Sequence, residues 1–446
     1  MCLCAHTSRA QEELDDLLEG FEDELEEIIT DQPSDAGPGL WELTGDLSVS
    51  ASYAYAHTHS DPIKREYRGL AALRTQLRLQ LDLDLPRDWR ARVSGRGFYD
   101  SAYRIQGRRN FTDEALDTSE DELEFQEIWL QGSLLPQLDL KFGRQIVNWG
   151  RSETIRVIDV LNPLDNREPG LVDIEDLRLP VVMTKLDYYH GPWTLTGIAV
   201  HETRFDENPD FGSEFFPIAV PPPPENTPGN GGSNTEWAAA LTGIFSGWDV
   251  SLHWARFFDD TAHLELVPAA IGPPRPQLEH ARLTMLGASG NYAMGNWLLK
   301  AEAAYFDGLE YFVLAGDDKT RWDIMGGLEY AGFDDTTISL DVVRRHISGF
   351  DSRLENDPDF VENNRVETAF RYTTEFMNSR LRATYLATIF GTPFDGGGFM
   401  RLSCDYELRD ALTVGGGIVL YMGGDFPTFE ANRKNDRLFF TAKYSF

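Results

Sequence analysis

The chain has 446 residues, with 40 Lys+Arg against 73 Asp+Glu, a formal net charge of −33 and a pI near 4.5. That acid excess argues against nucleic acid or an anionic membrane surface as partner, because both need a field of Lys and Arg. A hydrophobic content of 41% is too high for a disordered chain, and no run of 18 apolar residues offers a transmembrane helix. The length suits either two or three ordinary domains or one large all-β barrel.

The first ten residues, MCLCAHTSRA, read as the remnant of a signal peptide, with an imperfect cleavage pattern around Ser8-Arg9-Ala10. Residues 11–40 form a second unit. Leu14, Leu17, Leu18, Phe21, Leu25 and Ile28 take helical spacing with an acidic opposite face, and a turn-rich linker follows from Asp31 to Gly39. Residues 1–40 hold 12 acids and one base, −11 of the −33. A solvated helix is the plain reading; a plug or a handle for a partner protein is the functional one. Two of the three cysteines are Cys2 and Cys4, which leaves Cys404 as the thiol of the body and no disulfide framework.

From Trp41 the period changes to two. Leu77, Leu79, Leu81, Leu83 and Leu85 alternate with Arg78, Gln80, Asp82 and Asp84, and thirteen such residues from Leu73 would cross a hydrocarbon core even when tilted. The next segment puts Arg90, Arg92, Ser94 and Arg96 on one face. Near the C-terminus Arg371, Arg380 and Arg382 alternate with apolar partners in the same way. Alternation alone fits a soluble sandwich as well as a membrane barrel.

Three features choose the membrane. Eight short links, such as 86–88 and 246–247, alternate with nine long ones, such as 104–120, 150–180 and 204–234; this is the outer-membrane pattern of short periplasmic turns and long extracellular loops. Trp41, Trp89, Trp193, Trp248 and Trp297 stand at strand starts, as an interfacial girdle requires. The chain ends with Phe440, Tyr444 and Phe446 on one face, which resembles the signal by which barrel-assembly machinery recognises its clients. The expected fold is all-β: a transmembrane antiparallel β-barrel of about 18 strands, or 16 because 123–134 and 138–149 are poorly phased. A short acidic N-terminal helix and an inward-folded long loop complete it. Residues 41–446 form the barrel in the bacterial outer membrane, with both termini periplasmic and lipid and lipopolysaccharide around it.

Gly143, Arg144, Gln145, Trp149 and Gly150, followed by Asn162-Pro163, Arg167-Glu168-Pro169-Gly170 and Arg178-Leu179-Pro180, resemble the Gram-negative outer-membrane family catalogued as domain of unknown function 1302. The resemblance covers most of the chain and implies a porin-like barrel of unassigned substrate. It also implies work beside a periplasmic carrier or an efflux-type transporter, in uptake or export of hydrophobic compounds.

The long link at 150–180 is expected to fold inward as a constriction or plug, since Val157, Ile158, Val160 and Leu161 are too apolar for a solvated loop. Arg144, Arg151 and Arg156 would then face Asp159 and Asp165 near the pore, either to hold the loop or to select a solute. Arg74, Arg78, Arg90, Arg92 and Arg96 form a basic stripe on two adjacent strands, a pore-lining field for polar or anionic groups. The acidic tracts 206–211 and 355–360 read as solvated loop tips rather than Ca²⁺ sites, because neither has the EF-hand spacing. No hydrolase or nucleotide motif occurs, and neither a cofactor nor a metal is expected. The function read from these residues is a channel without catalysis for a small, partly hydrophobic solute. The alternatives are a scaffold that docks a periplasmic partner of a transport system, and, further off, an outer-membrane hydrolase.

Overall fold

The computed structural model describes residues 40–57, 67–172, 177–218, 220–268, 272–357, 361–392 and 394–446. The acidic segment, the signal-like start and the first two cysteines lie outside the described residues.

Eighteen strands close into one antiparallel barrel. They are β1 (Trp41–Ala54), β2 (Gly69–Leu85), β3 (Trp89–Asp100), β4 (Asp121–Leu135), β5 (Leu138–Gln145), β6 (Val181–His190), β7 (Trp193–Val200), β8 (Glu236–Phe245) and β9 (Trp248–Phe258), then β12 (Arg282–Met294), β13 (Trp297–Leu309), β14 (Lys319–Phe333), β15 (Thr336–Ser348), β16 (Asn364–Phe376), β17 (Leu381–Phe390), β18 (Gly397–Arg409), β19 (Leu412–Met422) and β20 (Arg437–Ser445). A small hairpin, β10 (His263–Val267) and β11 (Arg275–Glu279), rises from the loop after β9. Each barrel strand pairs with its chain neighbour, and β1 closes on β20 with Leu47 opposite Tyr444. Gly45 and Phe446 exchange both backbone hydrogen bonds at 2.9 Å, so no edge is left at the seam.

The period of two sorts the wall. Leu77, Leu79, Phe440, Tyr444 and Phe446 point outward and are exposed, as the surface of a lipid-facing band should be. Cys404 is also exposed, on that face. The tryptophans form two bands. Trp41, Trp193, Trp248 and Trp297 ring the short-turn end, where Trp248 stacks on Phe245 at 4.2 Å. Trp237, Trp254 and Trp322 lie outward toward the long-loop end, a second band that reading strand starts alone did not find.

Both poorly phased segments hold strands, β4 across 123–134 and β5 over 138–145, while 146–149 belong to the following loop. In β4 the register shifts where Ser94 of β3 meets the extra residues Gln126 and Glu127, so the outward set changes from Leu123 and Phe125 to Ile128 and Leu130. A bulge changes parity in mid-strand, and a fixed alternation pattern cannot follow it. The lumen also departs from a uniformly polar wall. On β6–β9 and β12–β15 the inward residues include Met183, Ile198, Phe257, Met285, Phe306 and Val343, all buried. Their lumen face is apolar over long stretches, with single buried charges such as Glu302 and Asp341 among them, because something covers it from inside.

Candidate functional site: the lumen and its inward loops

The covering element is the link between β5 and β6, residues 146–180. Its Val147, Trp149, Ile155, Val157, Ile158 and Leu161 share one buried cluster with the apolar lumen wall. The fit is close at Gly287 of β12, where an added Cβ would stand 2.8 Å from Ile158. The expected inward fold is therefore present, and it forms a dry core inside the barrel.

The resembling motif fastens the two ends of this loop together. Gly143 takes φ +128, and a Cβ there would lie 2.1 Å from the Ile128 carbonyl oxygen, so only glycine fits beside β4. Asn162 is fully buried; it accepts from the Val147 amide at 2.8 Å and donates to the carbonyls of Gln145 (3.1 Å) and Leu179 (2.9 Å). The Leu179 amide donates to the Pro163 carbonyl at 2.8 Å. Gln145 donates to the Met183 carbonyl at 3.1 Å, and the Gly150 amide is taken by the Asn148 side chain at 2.9 Å. Trp149 packs on His253 with ring centroids 4.8 Å apart, inside the lumen and away from the girdles.

Acids of the wall hold the backbone of the loop. Glu302 of β13 accepts from the amides of Arg151, Ser152 and Ile158, the last two at 3.2 Å. The Ser152 hydroxyl donates to Asp341 at 2.5 Å, and Glu153 pairs with Arg371 at 2.5 Å. Arg345 of β15 binds Glu367 at 2.8 Å and Asp323, and donates to the Arg156 carbonyl at 2.9 Å. Sequence reading missed Glu302, Asp323, Asp341 and Arg345. Their only signal was an ionisable residue on the lumen face of an otherwise apolar strand.

The charged residues singled out in the loop divide. Asp159 is buried and accepts from the Trp149 amide (3.2 Å), pairs with Arg178 at 2.9 Å and lies 3.5 Å from Arg156. Arg156 donates to the carbonyls of Asp159 (2.6 Å) and Asn162 (2.7 Å), so these two charges brace the loop instead of facing a pore. Arg151 reaches Asp249 of β9 and donates to Ser251 at 3.0 Å. Arg144 and Asp165 enter a charge network on the wall. In it Arg96 lies 3.3 Å from Glu122 and 3.6 Å from Asp165, and Arg144 lies 3.1 Å from Glu124. Arg167 bridges Asp165 (2.6 Å), Glu122 (2.9 Å) and Glu207 (3.2 Å), while Arg204 bridges Glu124 (2.7 Å) and Glu207 (2.6 Å). Burial opposes the ionised Asp165 carboxyl, but hydrogen bonding and charge from Arg167, then the charge of Arg96, hold it below the ordinary carboxylate range.

The basic stripe is thus mostly neutralised. Arg74 pairs with Glu168 (2.8 Å) and Arg92 with Asp82 (2.7 Å) and Glu127 (3.5 Å). Arg382 pairs with Glu375 at 2.7 Å. Arg90 approaches Asp84 only to 3.9 Å with both side chains about three-quarters exposed, a contact worth little. Arg380 donates to the carbonyls of Glu407 (3.1 Å) and Leu408 (3.2 Å) at a short turn. Among the described residues Arg78 alone of the stripe has no ion pair, and its buried Nε has no hydrogen-bond partner there.

A second long loop, residues 201–235, lies across the same space. The Glu207 amide donates to the Leu164 carbonyl at 2.8 Å, and Asp206 accepts from the Leu164 amide at 2.6 Å and the Asn166 side chain at 3.1 Å. Further along, Glu214 binds Arg437 of β20 and Phe215 packs on Val419 and Tyr421 of β19. The tract at 206–211 is therefore a brace and not a solvated tip, because Asp206 caps the Leu164 amide of the inward loop and Glu207 pairs with Arg167 and Arg204. In the other tract Asp357 is buried and accepts from the Val313 amide at 3.1 Å. Burial raises the carboxyls of Asp206, Asp259 and Asp260, and the Asp206 charge raises Asp260 further. His57 accepts from the Tyr67 amide at 3.0 Å. Among the described residues no group of three or more His, Cys, Asp or Glu has metal-binding geometry.

Residues 30–446 match the family model described as protein of unknown function, DUF1302. No curated protein matches the chain by sequence. Among solved structures it is similar to the outer-membrane protein OpdK of Pseudomonas aeruginosa, with 11% identity, TM-score 0.50, and coverage of 91% of this chain and 99% of that one. OccAB2 of Acinetobacter baumannii gives 11% identity, TM-score 0.51 and coverage of 92% and 99%. OccK9 (OpdG) of P. aeruginosa gives 12%, 0.52, and 92% and 99%. At such identities the likeness is one of fold: a closed 18-strand outer-membrane barrel.

Proposed function

The chain belongs to the family described as protein of unknown function DUF1302, and from that footing we propose that it is an outer-membrane channel for a small, partly hydrophobic solute, without chemistry of its own. The observation that supports this reading most is the inward loop 146–180. It is held by Glu302 and Asp341 on one side of the lumen and by Arg74 on the other, so it narrows the passage from within. A scaffold would not need its lumen arranged in this way. The paired charges would let polar parts of a solute pass without meeting a bare charge, and the apolar wall above β6–β9 would suit its hydrophobic part.

In this reading the short turns and both termini face the periplasm, the long loops face outward, and the terminal aromatics Phe440, Tyr444 and Phe446 serve assembly in the bilayer. Reconstitution into planar bilayers tests the proposal. Discrete conductance steps with a preference for cations are expected, given the net charge of −33. A bilayer that stays silent, with folded protein inserted, contradicts it.

A further inference from the structure

A cavity of about 260 Å³ lies where the two inward loops meet the wall of β1, β2 and β20. Its wall side carries Ser48, Ser50 and Ser52 of β1, three successive lumen positions of one strand, with Ala72 and Arg74 of β2 beside them. Its loop side carries Leu171, Ser213, Glu214 and Phe215, and Phe439 of β20 completes it.

What such a space accepts follows from what its lining lacks. The guanidiniums that line it are already taken. Arg74 makes two hydrogen bonds to Glu168, at 2.8 and 3.4 Å, and Arg437 makes two to Glu214, at 2.5 and 3.1 Å. Arg167 holds Asp165 at 2.6 Å and Glu122 at 2.9 Å. An incoming anion would have to break one of these pairs and leave a carboxylate buried without its cation. Among the described residues the groups here without a hydrogen-bond partner are the Ser52 hydroxyl, on a residue 6% exposed, the Ser213 hydroxyl and the Arg74 Nε, which lies 3.9 Å from Asp100. A buried polar group left alone is costly, so each favours a ligand that brings a hydroxyl to it. Leu171, Phe215 and Phe439 offer apolar surface next to these groups. The volume corresponds to about eight or nine waters at ~30 Å³ each, the size of one six-membered ring with its substituents.

We propose that this cavity binds a neutral, hydroxylated single-ring compound, through the Ser52 and Ser213 hydroxyls and the apolar faces of Phe215 and Phe439. This deepens the channel reading by naming the class of solute, and rests on it for the claim that the compound is cargo; the binding itself does not.

The test titrates the full chain in detergent micelles with glucose and with 1,3-dihydroxybenzene as neutral probes, and with benzoate as the anionic one, by calorimetry. Saturable binding of at least one neutral probe, and none of benzoate, is expected. The double variant Ser52→Ala/Ser213→Ala should weaken that binding about tenfold or more. Ala72→Leu, which fills the cavity, should abolish it while the sheet signal in circular dichroism stays unchanged. Binding of benzoate that depends on Arg74 overturns the proposal in favour of an anion site. Binding indifferent to both variants, or none of either neutral probe, overturns it too. Binding without conductance upholds the cavity and removes the channel; conductance without binding does the reverse.

Discussion

Glu302 accepts hydrogen bonds from three backbone amides of a loop that starts more than 140 residues away. A charged acceptor serving amides in a water-poor setting is worth about 1.5–3 kcal/mol per bond, with partial compensation on its loss. Glu302→Ala should therefore loosen the segment Arg151–Ile158 by about 2–4 kcal/mol. Hydrogen exchange would show faster exchange at those amides, with the strands of the wall unchanged. Arg78 presents the opposite case. With no carboxylate to release, Arg78→Gln should leave the structure intact and shift the reversal potential toward cations. Arg96→Gln would remove one cation from Glu122, Glu124 and Asp165, which keep Arg167, Arg144 and Arg204, and would loosen the loop as well. Equal exchange rates in the two variants would show that pairing does not hold the loop.

At the level of strands and loops, the aromatic girdle rests on glycines of the neighbouring strand. A Cβ on Gly243 of β8 would come 2.6 Å from the Trp193 ring, and one on Gly132 of β4 would come 2.3 Å from Trp89. Gly243→Ala should push the indole off the wall and destabilise the barrel by about 1–3 kcal/mol, read as a lower denaturation midpoint and a shift in tryptophan emission. An unchanged midpoint and emission would show that the ring has room to move.

The same level explains what the sequence could disclose. In β2, Leu77 to Leu85 alternate without interruption, and the strand with its facing was plain. In β4 the bulge at Gln126-Glu127 hid the phase, and on β12–β15 the apolar lumen face erased the alternation. The inward loop showed itself through Val157, Ile158, Val160 and Leu161. Its anchors did not, because Glu302, Asp341 and Arg345 become its neighbours only through closure of the barrel. Nor could alternation tell a free arginine from a paired one. The stripe on β2 and β3 was legible as lumen-facing, while the acids that neutralise it come chiefly from β4 and from the loop, with Asp82 of β2 besides.

On the scale of the whole molecule, the two inward loops act as one cover whose acids respond to pH in opposite senses. Asp206 of the second loop is raised, chiefly by burial, as are Asp259 and Asp260 in the link after β9, so the folded cover binds their protons more tightly than an opened one. Their contribution favours the folded cover more as pH falls from neutral through their raised values, and less as pH rises. Asp165 is depressed by Arg167 and Arg96, so its contribution is whole at neutral pH. It is lost only as pH falls through that depressed value. As pH falls from neutral the first group takes up protons before Asp165 does, because it is raised where Asp165 is lowered. The loop 201–235 should then resist proteolysis better at the lower pH, and a faster cleavage at pH 5 would contradict the assignment.

The barrel and its inward loop make one central claim, that the lumen is a passage narrowed from within by residues 146–180. Single-channel conductance of the full protein, compared with that of Glu302→Ala, tests it most directly. Small, cation-preferring steps are expected for the native chain and larger or noisier ones for the variant. Conductance that is absent in both, or identical in both, would contradict it.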